Sequence, residues 1–192
     1  MNAASRATGP AGVSVRELRW SDFDPIRETY WLLYDERPQQ PDLGITLFGT
    51  PPSLADEVEW FSQLYRKVLA GNAVVAVGEL DGTYAGHCTV ARVGPGPSSE
   101  AAHVGELGIL VHRDRRGRGV GRAMMAHALA QSAGKFELVR LSVFSSNVRA
   151  RKLYEEFGFE EVGTLPRAIR RGEVYFDEVL MVKRLVPPLA NR

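Results

Sequence analysis

Five arginines, Arg113, Arg115, Arg116, Arg118 and Arg122, share ten residues with three glycines, Gly117, Gly119 and Gly121. Glycine lets a backbone approach a ligand closely, and guanidinium groups match the geometry of phosphate oxygens. An apolar run ending at Val111 precedes the cluster and an Ala- and Met-rich helical stretch follows it, so the glycines fall where a strand passes into a helix. Amides at a helix N-terminus have no intrahelical acceptor and attract anions. The chemistry expected here is phosphate binding. A nucleotide-hydrolysing P-loop would need Gly-Lys-Ser/Thr, but Arg122 and Ala123 follow Gly121. A dinucleotide fingerprint would need G-x-G-x-x-G, whereas these glycines give G-x-G-x-G among strands that read as antiparallel.

Composition bounds the protein that carries this cluster. The 192 residues hold 24 Lys plus Arg and 23 Asp plus Glu, a formal charge of +1, which argues against a polycation that coats nucleic acid or an acidic membrane. With 44% hydrophobic and 24% charged residues, the chain can build a packed core. One domain is expected over residues 13–186, between a flexible N-terminal tail (1–12) and a C-terminal tail (187–192). The lone Cys88 makes no internal disulfide, no Cys/His cluster has metal-ligand spacing, and no apolar run is long enough to cross a bilayer. A cytoplasmic protein without a metal is expected.

The elements that must position the cluster follow from periodicity. A strand is expected from Val13, then a helix capped by Ser21 or Asp22 and running to about Glu36, with Pro25 in its first turn. A long connection, Arg37 to Pro52, leads to a second helix from Ser53 that stops at Gly71. Strands follow at Ala73 to Leu80 and Tyr84 to Val93 around an Asp81-Gly82 turn, and a third at Ala102 to Val111. Beyond the cluster come a helix to Ser132, a strand at Leu138 to Val143, a helix at Asn147 to Phe157, and strands near Phe159 to Leu165 and Val174 to Arg184. This order predicts a mixed, largely antiparallel sheet flanked by helices, an α/β fold.

The segment Arg116-Gly-Arg-Gly119-Val-Gly121 resembles the Q/R-x-x-G-x-G/A pyrophosphate loop of the GNAT N-acetyltransferase superfamily. Downstream, Asn147-Val-Arg-Ala150-Arg-Lys-Leu153-Tyr154-Glu-Glu-Phe-Gly158-Phe159 is similar to that family's N-x-x-A-x-x-L-Y-x-x-x-G-F segment. The resemblance is tight over residues 104–163. It implies the acyl-CoA N-acyltransferase fold and direct transfer of an acetyl group from acetyl-CoA to a primary amine of a small molecule, amino acid or protein, both substrates being bound together. By the same resemblance, the backbone of Ile109, Leu110 and Val111 pairs with the pantetheine arm. Arg116, Gly117, Arg118, Gly119, Val120, Gly121 and Arg122 hold the pyrophosphate, and Asn147 bonds the pantetheine or caps its own helix.

Tyr154 matches the tyrosine that protonates the departing thiolate in many members of the family, although it also belongs to an apolar stripe with Ala150, Leu153 and Phe157. Glu106 sits where many members carry a glutamate that acts as base, directly or through water; a surface carboxylate is the other reading. Glu100, Glu79 and Asp177 are weaker candidates, and Asp177-Glu178 reads by default as a solvated edge. Neighbouring strand residues point to opposite faces, so His87 and Cys88 form no catalytic pair, and Cys88 reads as a buried structural thiol. His103, His112 and His127 lack ligand spacing. The acceptor cleft implied by the resemblance is walled by the Arg37 to Pro52 connection, with Tyr34, Asp35, Glu36 and Phe48 near it, and by Pro166 to Tyr175, with Arg167, Arg170 and Arg171. The alternative to an enzyme is a module that binds acetyl-CoA or CoA without transferring the acetyl group. A homodimer is left open.

Overall fold

Alternation of Val13 and Val15 with Ser14 and Arg16 builds β1 (Val13–Glu17), whose valines are buried. The computed structural model describes residues 12–43, 48–94 and 96–185; the expected tails, apart from Gly12, lie outside them. Helix α1 (Phe23–Glu36) carries Pro25 in its first turn. Asp22 stands at its N-cap, as expected, but its side chain makes no capping bond. Its carboxylate instead accepts from the amide of Arg19 at 2.7 Å and from both terminal nitrogens of Arg16 at 2.7 and 2.8 Å, because a short 3-10 turn precedes the helix. Helix α2 (Leu54–Leu69) starts as expected on Ser53, which exchanges hydrogen bonds with Asp56 in a capping box.

Strands β2 (Ala73–Leu80) and β3 (Thr83–Arg92) form a hairpin whose turn residues, Asp81 and Gly82, both have left-handed backbones (φ 52° and 75°), as two-residue turns with the strand twist require. Then follow β4 (Val104–Val111), α3 (Val120–Ser132), β5 (Leu138–Phe144), α4 (Val148–Glu156), β6 (Glu160–Arg171) and β7 (Val174–Arg184). The seven strands form one sheet in the order β1-β2-β3-β4-β5-β7-β6. Every neighbouring pair is antiparallel except β4 and β5. Those two pair only at Val104, Gly105 and Glu106 with Leu138, Val139 and Arg140, and beyond that rung they part.

Each face of the sheet has its own core. On one, α3 and α4 pack Val120, Met124, Met125 and Tyr154 against Val90, Leu107, Val139, Leu141 and Met181. On the other, Ile26 of α1 and Phe61 and Leu64 of α2 lie against Ala73, Val75 and Val77. Trp31 Nε1 of α1 donates to Glu57 of α2 at 3.1 Å, tying the two helices together. Gly78 shows how closely α3 approaches: a Cβ there would stand 2.7 Å from Met124 Sδ. Among the described residues no helix is long and apolar enough to cross a membrane.

Two sequence expectations are corrected. β6 runs six residues past Leu165 to Arg171, through an irregularity between Leu165 and Ile169. Pro166 is tolerated because β6 is the edge of the sheet, where a missing N–H breaks no ladder bond. Asp177-Glu178 is not an edge, since β7 lies between β5 and β6.

Candidate active site

The turn before α3 is shaped for an anion. Gly117 and Gly119 have left-handed backbones (φ 76° and 83°), a region open to glycine with little strain, and Gly119 stands at the N-cap. No side chain caps α3 and no acidic residue lies in its first turn, so the leading amides carry their positive end of the helix dipole uncompensated. A phosphorylated ligand fits this end of the helix.

The arginines divide into two groups. Arg116 donates to both carboxylate oxygens of Glu36, one at 3.0 Å, and through Nε to the carbonyl of Val111 at 3.1 Å, so its side chain ties the end of β4 to the end of α1. Arg122 pairs with Glu156 and lies over the ring of Phe157, and Arg113 stands 3.8 Å from Asp114. Arg115 and Arg118 have no acidic partner among the described residues. A third unpaired cation joins them from α4: Arg149 Nη2 lies 3.7 Å from where a Cβ on Gly117 would sit. Sequence reading passed over Arg149. Its signal was a cation in the first turn of a helix, where the dipole disfavours one unless an anion is near.

The parting of β4 and β5 leaves the β5-facing backbone edge of Leu107 to Val111 without a strand partner. Backbone donors and acceptors in such a gap need partners from elsewhere. Ile109 and Val111 point toward α3 and pack on its core, while Leu110, by alternation, faces the side of α1. On the α3 side of the sheet, near Cys88, the β3 partner of Ile109, lies Tyr154, 7% exposed, its ring 6.0 Å from that of Phe159 in an edge contact. Burial pushes its phenol above the ordinary tyrosine range, with the nearby Cys88 adding to the shift. Its hydroxyl has no hydrogen-bond partner among the described residues. Asn147 Oδ1 caps α4 by accepting from the amide of Ala150 at 3.1 Å.

Glu106 occupies the last rung before the gap and faces away from Tyr154, on the α1 side of the sheet. Beside it on β5, Arg140 donates to Oε2 at 3.1 Å, and both side chains are about half exposed. Two residues on, Gly108 presents bare backbone on the same face; a Cβ there would meet nothing within 4 Å. Farther along, the buried Phe144 lies under the guanidinium of Arg171 at 4.8 Å and against Phe176 at 5.2 Å. Arg171 also donates to the carbonyls of Pro41 and Leu43, fastening the β6–β7 hairpin to the connection after α1. The connection's other shoulder is held by Arg37, which donates to the carbonyls of Phe48 and Gly49.

The weaker base candidates are engaged elsewhere or stand apart. Glu79 pairs with Arg16 at 2.6 Å, and Asp177 accepts from the amide of Arg167 at 2.8 Å, holding the left-handed residue (φ 53°) that kinks β6. Glu100 lies in the turn before β4. His87 and Cys88 do face opposite sides: burial drives the thiol up to about 12, while His87 is lowered to about 4 and bonds Tyr84 at 2.9 Å. A depression of about 670 Å³ between α1, Tyr84, His112 and Arg115 holds neither Glu106 nor Tyr154.

A strand that parts from its neighbour and a glycine turn opening a helix make room for an extended, phosphorylated ligand, and the family of the chain follows from comparison with known proteins. The model of the acetyltransferase (GNAT) family matches residues 23–159. The chain is 34% identical over 175 residues to the L-amino acid N-acetyltransferase AaaT of Escherichia coli, covering 89% of this chain and 97% of that protein. Its fold superposes on yncA of Salmonella typhimurium, solved with acetyl-CoA, with a TM-score of 0.77 at 17% identity over 93% of this chain and 97% of that one. A Staphylococcus aureus N-acetyltransferase gives a TM-score of 0.72 at 19% identity, with 92% and 100% covered. The chain belongs to the GNAT acetyltransferase family and is an acetyl-CoA-dependent N-acetyltransferase.

Proposed function

We propose that this enzyme acetylates an α-amine, with Glu106 receiving the amine's proton and Tyr154 supplying one to the departing thiol. The observation that carries this reading is that Glu106, on the last rung before the gap, and Tyr154, near the β3 partner of Ile109, lie on opposite faces of the sheet. An amine approaching from the α1 side and a sulfur reached from the α4 side then use different proton carriers that do not neutralise each other. The buried phenol stays protonated at physiological pH, so its proton is present when the thiolate departs.

The backbone of Ile109, Leu110 and Val111 supplies the unpaired edge along which a pantetheine arm can lie. Gly117, Gly119 and the amides of Val120, Gly121 and Arg122 suit the pyrophosphate, with Arg118 and Arg149 the available cations. Bound there, acetyl-CoA supplies the activated acyl group. Asn147, its oxygen used as a cap, keeps its amide NH2 for the pantetheine.

Energetics favour an α-amine. Near pH 7 an α-amine with a pKa of about 7.8 needs about 1 kcal/mol to lose its proton, whereas a lysine amine near 10.4 needs about 4.6. A half-exposed carboxylate beside a cation is suited to the smaller task. The E. coli relative's activity on L-amino acids points the same way. The test is thiol release and mass spectrometry with acetyl-CoA and a panel of amines, alongside calorimetric CoA binding. Acetylated α-amines are expected; tight CoA binding without turnover on any amine would make the protein a binding module.

A further inference from the structure

The ion pair of Glu106 and Arg140 is built unlike the pairs that hold the fold. Asp22 and Glu36, which bind Arg16 and Arg116, have carboxylate side chains only 4% and 10% exposed and are gripped by two guanidinium nitrogens each. Glu106 and Arg140 are 53% and 50% exposed and share a single contact, from Nη2 to Oε2. Pairs of that kind add little stability. Among the described residues, Glu106 Oε1 and the other donors of Arg140 have no partner. The pair also has open space beside it, over the bare backbone of Gly108 on the same face.

We infer that Glu106 and Arg140 together receive the two charged ends of a free α-amino acid, the ammonium at Glu106 and the carboxylate at Arg140. The inference rests on the acetyltransferase reading of this site and narrows its acceptor. A guanidinium has five N–H donors and Glu106 takes one of them, so a second carboxylate can dock in the paired, two-bond manner without displacing the first. Two carboxylates against one guanidinium would leave an excess negative charge; the ammonium of the same ligand cancels it. The zwitterion thus completes a balanced set of four charges, which a peptide N-terminus or a lysine side chain, having no adjacent carboxylate, cannot do. The absent side chain of Gly108 gives the amino acid's α-carbon and its substituent room beside the amine.

The experiment compares an L-amino acid with its C-terminal amide as acceptors, for wild type, Arg140→Gln and Arg140→Lys, following KM and kcat for each and KM for acetyl-CoA. Calorimetric titration of the amino acid into the enzyme–CoA complex reads binding without turnover. The wild type should prefer the free acid by about tenfold or more, the discrimination expected of a charge-assisted contact. Arg140→Gln should lower kcat/KM for the acid about tenfold more than for the amide, chiefly through KM, leave KM for acetyl-CoA as it was, and weaken the calorimetric signal. Arg140→Lys should fall between. Equal kcat/KM for acid and amide in the wild type, or an equal loss on both in Arg140→Gln, overturns the inference while leaving the acetyltransferase reading intact. Failure to acetylate any amine overturns both.

Discussion

Replacing Tyr154 with Phe separates its proposed role as proton donor from its packing in the core on the α3 side of the sheet. The ring would keep its buried place and its edge contact with Phe159 at 6.0 Å, and only a hydroxyl without a hydrogen-bond partner among the described residues would go. No intramolecular bond is lost, so the stability change should lie within about 1 kcal/mol of zero, a shift in Tm of about 2–4 °C at most for a chain of this size. Loss of a positioned general acid slows transfer by about 10²- to 10⁴-fold, equivalent to about 3 to 5 kcal/mol of barrier. The assay is single-turnover acetyl transfer with excess enzyme, which excludes product release, together with a thermal melt and calorimetric CoA binding. The expected result is a slow step on an intact fold with unchanged CoA affinity. A transfer rate within threefold of wild type would return Tyr154 to a packing role. Burial raises the phenol's pKa, so the wild type should show no loss of activity from Tyr154 deprotonation between pH 7 and 9.

Other perturbations test the remaining parts. Gly119→Val forces a β-branched residue into a left-handed backbone (φ 83°) and should abolish CoA binding by calorimetry, whereas Gly121→Ala, whose Cβ would stand 3.5 Å from Val111 in ordinary contact, should bind nearly normally. Comparable affinities for the two would dismiss the glycine turn as the anchor. Burial lowers His87 to about 4 against about 6.5 for a free imidazole, so between those pH values the unfolded chain binds a proton that the folded chain refuses, and stability falls as pH drops. The loss approaches about 3 kcal/mol below the window; urea titrations at pH 7 and 4.5 should show a smaller difference in His87→Gln, and an unchanged difference would mean that His87 is not the acid-sensitive group. Arg171→Ala removes the bonds to Pro41 and Leu43 and the cover over Phe144, and should hasten proteolysis of segment 37–50 and raise the acceptor KM with the acetyl-CoA KM unchanged. Unaltered protection of that segment would show that the hairpin does not hold it.

Features written within a few residues of chain were legible. The Asp81-Gly82 turn, the Ser53 capping box and the strand-to-helix passage around Gly119 depend on local dihedrals and local hydrogen bonds, and each stands where periodicity and turn chemistry put it. The side chain of Asp22 misled because two users competed for it: a helix cap is a local bond, but the Arg16 guanidinium reached it first. Pro166 misled for a related reason. Whether proline ends a strand depends on whether its missing N–H would have been paired, and that follows from β6 being an edge, which no window of sequence around Pro166 reveals.

The division runs through the site itself. The residue types were readable in one dimension: glycines and arginines where a strand enters a helix, a glutamate on the preceding strand, a tyrosine in the motif that follows. Which arginine side chains stand without an acidic partner near the glycine turn was not, since Arg116 is taken by a carboxylate 80 residues away and Arg149 arrives from another helix. Nor could the sequence show that β4 and β5 part after three rungs, that Glu106 and Tyr154 lie on opposite faces of the sheet, or that Arg140 stands beside Glu106. Local propensity is set by the chain's own neighbours, whereas strand partners, the faces of a sheet and ion pairs between distant segments are set by how the whole chain packs, and that packing decides what an acceptor would meet.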